Sequence, residues 1–150
     1  MKTLVVRNGD IQVNSGKLLF AKGTTKLVED ITRWLQEPLG TGWTTPGFGS
    51  TLYAMIGTPQ TAASTNMVST EILRVLQLYQ GQQILDLRAA QNSAQLAYYS
   101  QDEVIQKVQD ITVELGFNSI LANVSIETLA GNLVNLSVSI GNNGVTVTNG

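Results

Sequence analysis

The last third of the chain alternates apolar and polar residues with a period of two. Successive side chains of a strand point to opposite faces of a sheet, so each alternating run predicts a strand with one buried face. Gly131-Asn132 and the stretch 141–144 separate the runs with turn residues, which favours antiparallel neighbours. The apolar positions of the three runs are Ile120, Ala122, Val124 and Ile126, then Val134, Leu136, Val138 and Ile140, then Val145 and Val147.

Three segments before these strands have helical patterns. A first helix is predicted from Thr24 or Thr25 to the stop at Pro38 and Gly40, with Leu27, Val28, Ile31, Trp34 and Leu35 on one face. A long helix is predicted from about Met67 to Gln95, after a loop at 58–66 and with Gly81 as a point where it kinks or divides. A third helix is predicted behind the capping box Ser100-Gln101-Asp102-Glu103, from the spacing of Val104, Val108, Ile111 and Leu115, and Gly116 would end it.

The first twenty residues predict short strands. Asn8-Gly9 between apolar runs is a hairpin signal, and Ser15-Gly16 marks a second turn. We identify no internal repeat at this stage. The expected fold class is therefore α+β: short N-terminal strands, about three helices, and a C-terminal antiparallel or mixed sheet packed on the helices.

Composition restricts the chemistry open to this chain. Its 150 residues favour a single domain, 1–150. Cysteine and histidine are both absent, which excludes a disulfide scaffold, a thiol nucleophile, a Ser–His–Asp triad and an imidazole metal ligand. The net charge of −2 gives no basic surface for nucleic acid, and no apolar run is long enough for a signal peptide or a membrane span. We expect no cofactor, no metal site, no nucleic-acid partner and no membrane partner.

Carboxylates offer the one enzymatic alternative. A cell-wall glycan hydrolase would need two carboxyl groups facing a cleft, and the candidates are Glu29, Asp30 and Glu37. Glu29 and Asp30 are adjacent and point in different directions on a helix, so a solvated helix face is the favoured interpretation. We therefore expect no catalytic residue and no enzyme activity.

A loop rich in glycine and proline follows the first helix. Residues 36–50 contain two prolines and four glycines but also two aromatic residues, which favour burial. We predict a structured loop in which Trp43, Pro46, Phe48 and Gly49 form a buried brace between the first helix and the rest of the domain. Ser50 is predicted to cap a short helix through Leu52, Tyr53 and Ile56. The candidate structural residues are Gly40, Trp43, Pro46, Phe48, Gly49 and Ser50.

The loop and the helix before it resemble a known family. Gly9-Asp10-Ile11, the helix positions Leu27, Ile31 and Leu35, and the motif Gly40-x5-Pro46-x-Phe48-Gly49-Ser50-x-Leu52 are similar to the baseplate wedge proteins of contractile-tail phages. These are the baseplate assembly protein W family, also called lysozyme-like wedge proteins, and the sheath initiators. The resemblance covers residues 9–57.

The resemblance implies an architectural role in the virion. Such a subunit sits in the tail baseplate, joins wedge proteins to tail tube or hub proteins, and starts assembly of the tail sheath protein, with six copies in a six-fold particle. Its location would be the virion, with the host cytoplasm as the place of assembly. A protein-binding adaptor unrelated to this family remains an alternative.

The C-terminal strands suggest where a partner would attach. No charged residue occurs from Thr128 to Gly150, although sheet edges are usually protected by Lys, Pro or a bulge. Either the segment is an interior strand pair, or a neighbouring chain adds a strand to one edge. Because the resemblance implies strand exchange with sheath subunits, we predict a strand-pairing interface at Val134, Leu136, Val138, Ile140, Val145 and Val147.

Overall fold

The computed structural model describes residues 3–7, 10–93 and 99–150 and shows an α+β fold. Four antiparallel strands form the main sheet in the order β10-β9-β8-β7. They are β7 (Ile105–Leu115), β8 (Ser119–Thr128), β9 (Leu133–Gly141) and β10 (Gly144–Asn149). Two α-helices, α1 (Gly23–Gln36) and α2 (Ala62–Asn92), pack on one face of this sheet.

The core lies between the helices and the sheet. In α1 the residues spaced four apart, Leu27, Ile31 and Leu35, are fully buried, as the helical pattern predicts. The inward face of the sheet supplies the alternating residues of β8 and β9, all at most 5% exposed. The alternation that predicted the three C-terminal strands is confirmed.

The predicted helix after Ser100 is wrong. Its capping box forms, but it begins only a one-turn 3₁₀ helix (Gln101–Glu103), and β7 follows at once. Two register shifts, at Ile105/Lys107 and Val108/Asp110, each insert a residue into β7. The core-facing residues Ile105, Val108 and Ile111 are therefore three positions apart instead of two, a spacing that is typical of a helix. Gly116 accordingly lies in the β7–β8 turn, where its N–H bonds to Ser119 O at 2.7 Å, and is no helix cap.

The long helix begins earlier than its sequence pattern indicated. Thr61 and Ser64 form a capping box, so α2 includes residues 62–66, which we had predicted as loop. The helix is continuous through Gly81, and it ends at Asn92. The side chain of Gln83 is fully buried and joins α2 to β7, since it donates to Glu103 O at 2.6 Å and accepts from Ile105 N–H at 3.0 Å.

The N-terminal strands form three short antiparallel pairs. These are β1 (Thr3–Leu4) with β6 (Phe20–Ala21), β2 (Val6–Arg7) with β3 (Asp10–Ile11), and β4 (Val13–Asn14) with β5 (Lys17–Leu18). Ser15 and Gly16 have positive φ, as a tight hairpin turn requires. The predicted Asn8-Gly9 turn lies outside the described residues.

A ring of main-chain hydrogen bonds joins these pairs. Val5 N–H bonds to Leu19 O, Leu19 N–H to Gln12 O and Gln12 N–H to Val5 O, at 3.0 to 3.1 Å. The three residues are seven apart, and the sequence carries glycine with the same spacing at 9, 16 and 23. A short internal repeat therefore exists, contrary to our expectation. It escaped notice because each unit is only seven residues long.

Candidate functional site

The loop after α1 is held by its own main chain. Ser50 N–H bonds to Glu37 O at 2.8 Å, and Leu39 N–H bonds to Ser50 O at 2.9 Å, so the two ends of the loop pair as a short parallel bridge. The buried Ser50 hydroxyl donates to Leu35 O at 2.6 Å, which satisfies a carbonyl in the last turn of α1. Ser50 thus anchors the loop to the helix. A short 3₁₀ helix (Leu52–Met55) follows, as predicted, but its N-cap residue is Thr51 and not Ser50.

Gly49 is the position of this loop that tolerates no side chain. Its φ is +109°, and a Cβ there would lie 2.5 Å from Glu37 O. Gly40 also has a positive φ, of +85°, but open space surrounds it. The close approach at Gly49 explains why the loop motif places glycine directly before Ser50.

The buried brace that we predicted exists only in part. Phe48 is half-buried and its ring centroid lies 4.4 Å from that of Trp34, so it does pack on α1. Trp43 is 94% exposed and Pro46 is exposed as well, so their predicted burial is wrong. The main-chain bridge between the two ends of the loop, and not these two side chains, holds the loop closed.

A charged pair on α2 secures the second half of the loop. Arg74 bonds to Glu71 at 2.7 Å and to Gly49 O at 3.2 Å, while Thr51 N–H donates to Glu71 Oε1 at 2.7 Å. Burial raises the pKa of Glu71, but the hydrogen bonds from Arg74 and Thr51 outweigh it and leave the pKa below its ordinary value. The carboxylate raises the pKa of Arg74. Sequence analysis missed the role of Glu71 and Arg74, because both side chains bind main-chain groups of the loop and no charged loop residue indicates the contact.

Most of the predicted strand-pairing residues are interior. β9 pairs with β8 on one side and β10 on the other, so Val134, Leu136, Val138 and Ile140 have no free edge. Their side chains fill the core of this chain. The prediction is therefore wrong for these four residues, and only Val145 and Val147, on β10, remain at an edge.

The outer edge of β10 presents unpaired main-chain groups. Gly150 N–H bonds to Asn135 O at 2.8 Å, and the β9–β10 register has no shift. Every second residue of β10 therefore bonds to β9, and the main-chain N–H and C=O groups of Val145, Val147 and Asn149 point away from β9. Gln36 Nε2 donates to Val145 O at 3.2 Å. Within the described part of the chain, the outward N–H and C=O of Val147 bond to nothing.

A groove runs beside this edge. It has a volume of about 600 Å³ and lies between α1 and β10. The strand side is uncharged, while α1 contributes charged and amide groups on the other side. The lining residues that matter here are Glu29, Arg33, Gln36, Glu37 and Val147. Thr146, Val147 and Thr148 supply the β10 side of the lining, so the groove lies next to the part of the strand where the Val147 main chain is unpaired.

The opposite edge of the sheet is protected. β7 carries two β-bulges and the charged residues Lys107, Asp110 and Glu114. Bulges and charges are the features that prevent edge-to-edge pairing. β10 has neither, so the two edges of one sheet differ in their capacity to accept a strand.

The three candidate carboxylates of the hydrolase alternative lie in two different environments. Asp30 accepts from Lys26 at 2.6 Å, from Thr3 at 2.7 Å and from Tyr79 at 2.8 Å, so it serves an internal network. Glu29 and Glu37 both line the β10 groove. Glu29 lies within α1, whereas Glu37 follows its last residue with extended backbone. The Glu37 carboxylate accepts from the Thr41 hydroxyl at 2.7 Å.

Sequence analysis also missed a cavity between α1, α2 and the loop. Its volume is about 480 Å³, and the rings of Trp34, Phe48, Tyr79 and Tyr99 line it. Asp86 lies there too and accepts from Tyr99 at 3.0 Å and from Gln82 at 2.8 Å. Burial, and then the neighbouring Asp30, raises the pKa of Tyr79; burial and the bond to Asp86 raise that of Tyr99. Trp34 lies on α1 and Tyr79 on α2, and their positions in the sequence do not indicate that they line one cavity.

Other kinds of site are not formed by the described residues. Across residues 3–7, 10–93 and 99–150, no group of three acidic side chains is placed to hold a metal ion. In the same part of the chain, none of the helices combines the length and apolar character that crossing a membrane requires. No family model, curated protein or solved structure matches this chain.

Proposed function

We propose that this protein is a structural subunit of a contractile phage tail baseplate, where it joins the wedge to the tail tube and initiates the sheath. The observation that carries the proposal is the free edge of β10, where the outward main chain of Val147 faces a groove. Pairing with a strand of a sheath or baseplate neighbour would satisfy these groups. The loop motif that resembles the wedge family supports the same role, and so does the absence of charge beyond Glu127.

The free edge of β10 favours assembly over hydrolysis, but it does not separate assembly in a tail from binding by an unrelated adaptor. A hydrolase requires two carboxylates that face a cleft, whereas Asp30 is engaged by Lys26, Thr3 and Tyr79. The Glu37 carboxylate accepts from the Thr41 hydroxyl. An adaptor unrelated to tails could also bind by strand addition, so the identity of the added strand separates that alternative from ours. We expect the virion tail baseplate as the location of this protein and the host cytoplasm as the site of its assembly.

The decisive experiment removes a single outward N–H. Val147→Pro deletes the outward N–H donor and leaves every β9–β10 hydrogen bond available, because the N–H of Val147 points away from β9. Val147→Ala is the matched control, since it removes the same side chain but keeps the N–H. Circular dichroism should show that both variants fold.

Baseplates assembled with each variant are then incubated with sheath protein and viewed by electron microscopy. We expect Val147→Ala baseplates to grow sheath and Val147→Pro baseplates to remain bare. Normal sheath on folded Val147→Pro would contradict the proposal.

A further inference from the structure

We propose that the aromatic cavity between α1 and α2 binds an indole, and that this indole is Trp43 of a second copy of the chain. Four of the residues that line the cavity are aromatic: Trp34, Phe48, Tyr79 and Tyr99. Aromatic rings favour offset or edge-to-face contacts with one another. An aromatic side chain is therefore the ligand that these walls suit best.

The cavity also holds a suitable acceptor for an indole. The indole ring is apolar except for one N–H donor. Asp86 Oδ1 accepts from Gln82 and Oδ2 accepts from Tyr99, but a carboxylate has about four acceptor positions. Asp86 can thus accept the indole N–H while keeping both present bonds. Asp30 has a different role, since Lys26, which is 3% exposed, forms an ion pair with it.

Among the residues that the structure describes, Trp43 is the exposed aromatic side chain closest in sequence to the cavity. It is 94% exposed, and Thr45, Gly47 and Phe48 of the same loop line the cavity. The exposed indole is therefore only two residues along the loop from Thr45 at the cavity. A two-fold contact needs complementary features on the same patch, so that each copy gives and receives one indole.

The charges around this surface allow two identical copies to meet. No charged residue occurs between Glu37 and Glu71, a stretch that includes residues 38–50 of the loop. Of the charged residues that line the cavity, Lys26 and Asp30 neutralise each other, and Arg33 and Asp86 have opposite signs. Two copies would therefore meet without net like-charge repulsion, and interface centres are typically depleted of charge and rich in Trp and Tyr.

Sedimentation equilibrium of the purified full chain, from micromolar to millimolar concentration, tests the proposal. We expect a monomer–dimer equilibrium whose dissociation constant rises about tenfold or more in Trp43→Ser, the effect of removing an aromatic hot spot. Phe117→Ser is the matched control, because Phe117 is 97% exposed in a different loop. It should leave the dissociation constant unchanged.

A second variant fills the cavity instead of removing the indole. Gly47 has open space where a Cβ would lie, so Gly47→Leu occludes the cavity without a backbone clash. It should weaken the dimer as Trp43→Ser does, whereas Val147→Pro, at the β10 edge, should not. A monomeric wild type, a dimer that survives Trp43→Ser or Gly47→Leu, or a dimer lost in Val147→Pro or Phe117→Ser would overturn the proposal.

Discussion

The side-chain amide of Gln36 donates a hydrogen bond to the main-chain carbonyl of Val145 at 3.2 Å. This bond joins the end of α1 to the start of the outward edge of β10. It satisfies the first of the outward carbonyls and leaves Val147 to face the groove. Helix α1 therefore covers one end of the edge, and a partner strand would begin where this cover stops.

The first prediction concerns Gly49. Gly49→Ala should destabilise the protein by about 2–4 kcal/mol, because the new Cβ meets Glu37 O at 2.5 Å and φ is +109°. Urea unfolding measures the loss. Gly47→Ala is the control, since its Cβ enters open space, and it should change stability by less than about 0.5 kcal/mol. Equal stability of the two variants would contradict the close main-chain approach.

The second prediction separates the two aromatic residues of the loop. Phe48→Ala should cost about 1–3 kcal/mol, below the cost at a fully buried site, because Phe48 is half-buried against Trp34. Trp43→Ala should cost almost nothing in the monomer, since the indole is solvated. Thermal unfolding at low protein concentration compares them. The reverse order of melting temperatures would show that Trp43 is the packed residue.

The third prediction is a pH dependence. Glu71 has a folded-state pKa below 4.5, so its contribution to stability is complete above pH 4.5 and is lost as the pH falls through the folded-state pKa. Glu71→Gln should therefore flatten the acid limb of the stability curve. Glu114→Gln, which removes an exposed charge on β7, controls for net charge. Parallel acid limbs in wild type and Glu71→Gln would exclude this role.

The fourth prediction concerns the carboxylates. The purified protein should not clear a peptidoglycan suspension. Asp30→Asn should instead cost about 3–5 kcal/mol, because it leaves the buried Lys26 without its partner, while Glu29→Gln and Glu37→Gln should fold normally. Peptidoglycan turnover that disappears in one of these amide variants would restore the hydrolase alternative.

Local patterns predicted correctly the helices and strands in which the buried residues repeat with one constant spacing. The period of two in β8 and β9 and the period of about four in α1 are preserved in the structure because their core faces are continuous. β7 was misread as a helix because two bulges change its period, and bulges depend on tertiary pairing that composition does not record. The sequence could limit the strand-pairing edge to the last strands of the chain. It could not identify β10 as the edge strand, because the order of strands in a sheet depends on non-local contacts.

Burial of single loop residues was the least predictable feature. Phe48 and Trp43 have the same chemical preference, yet only Phe48 contacts α1. The difference arises from the hydrogen bonds of Ser50 to Glu37 and Leu35, which hold the Phe48 end of the loop close to the helix. The aromatic cavity was missed for the same reason, since its rings come from α1, α2, the loop and the segment at Tyr99.

The most direct test of the central claim is electron cryo-microscopy of a contractile tail particle assembled with this protein. We predict that the protein lies in the baseplate and that a strand of a sheath or baseplate neighbour pairs with β10, accepting the N–H of Val147. A map in which the β10 edge faces solvent, or in which the neighbour pairs with β7 instead, would contradict this.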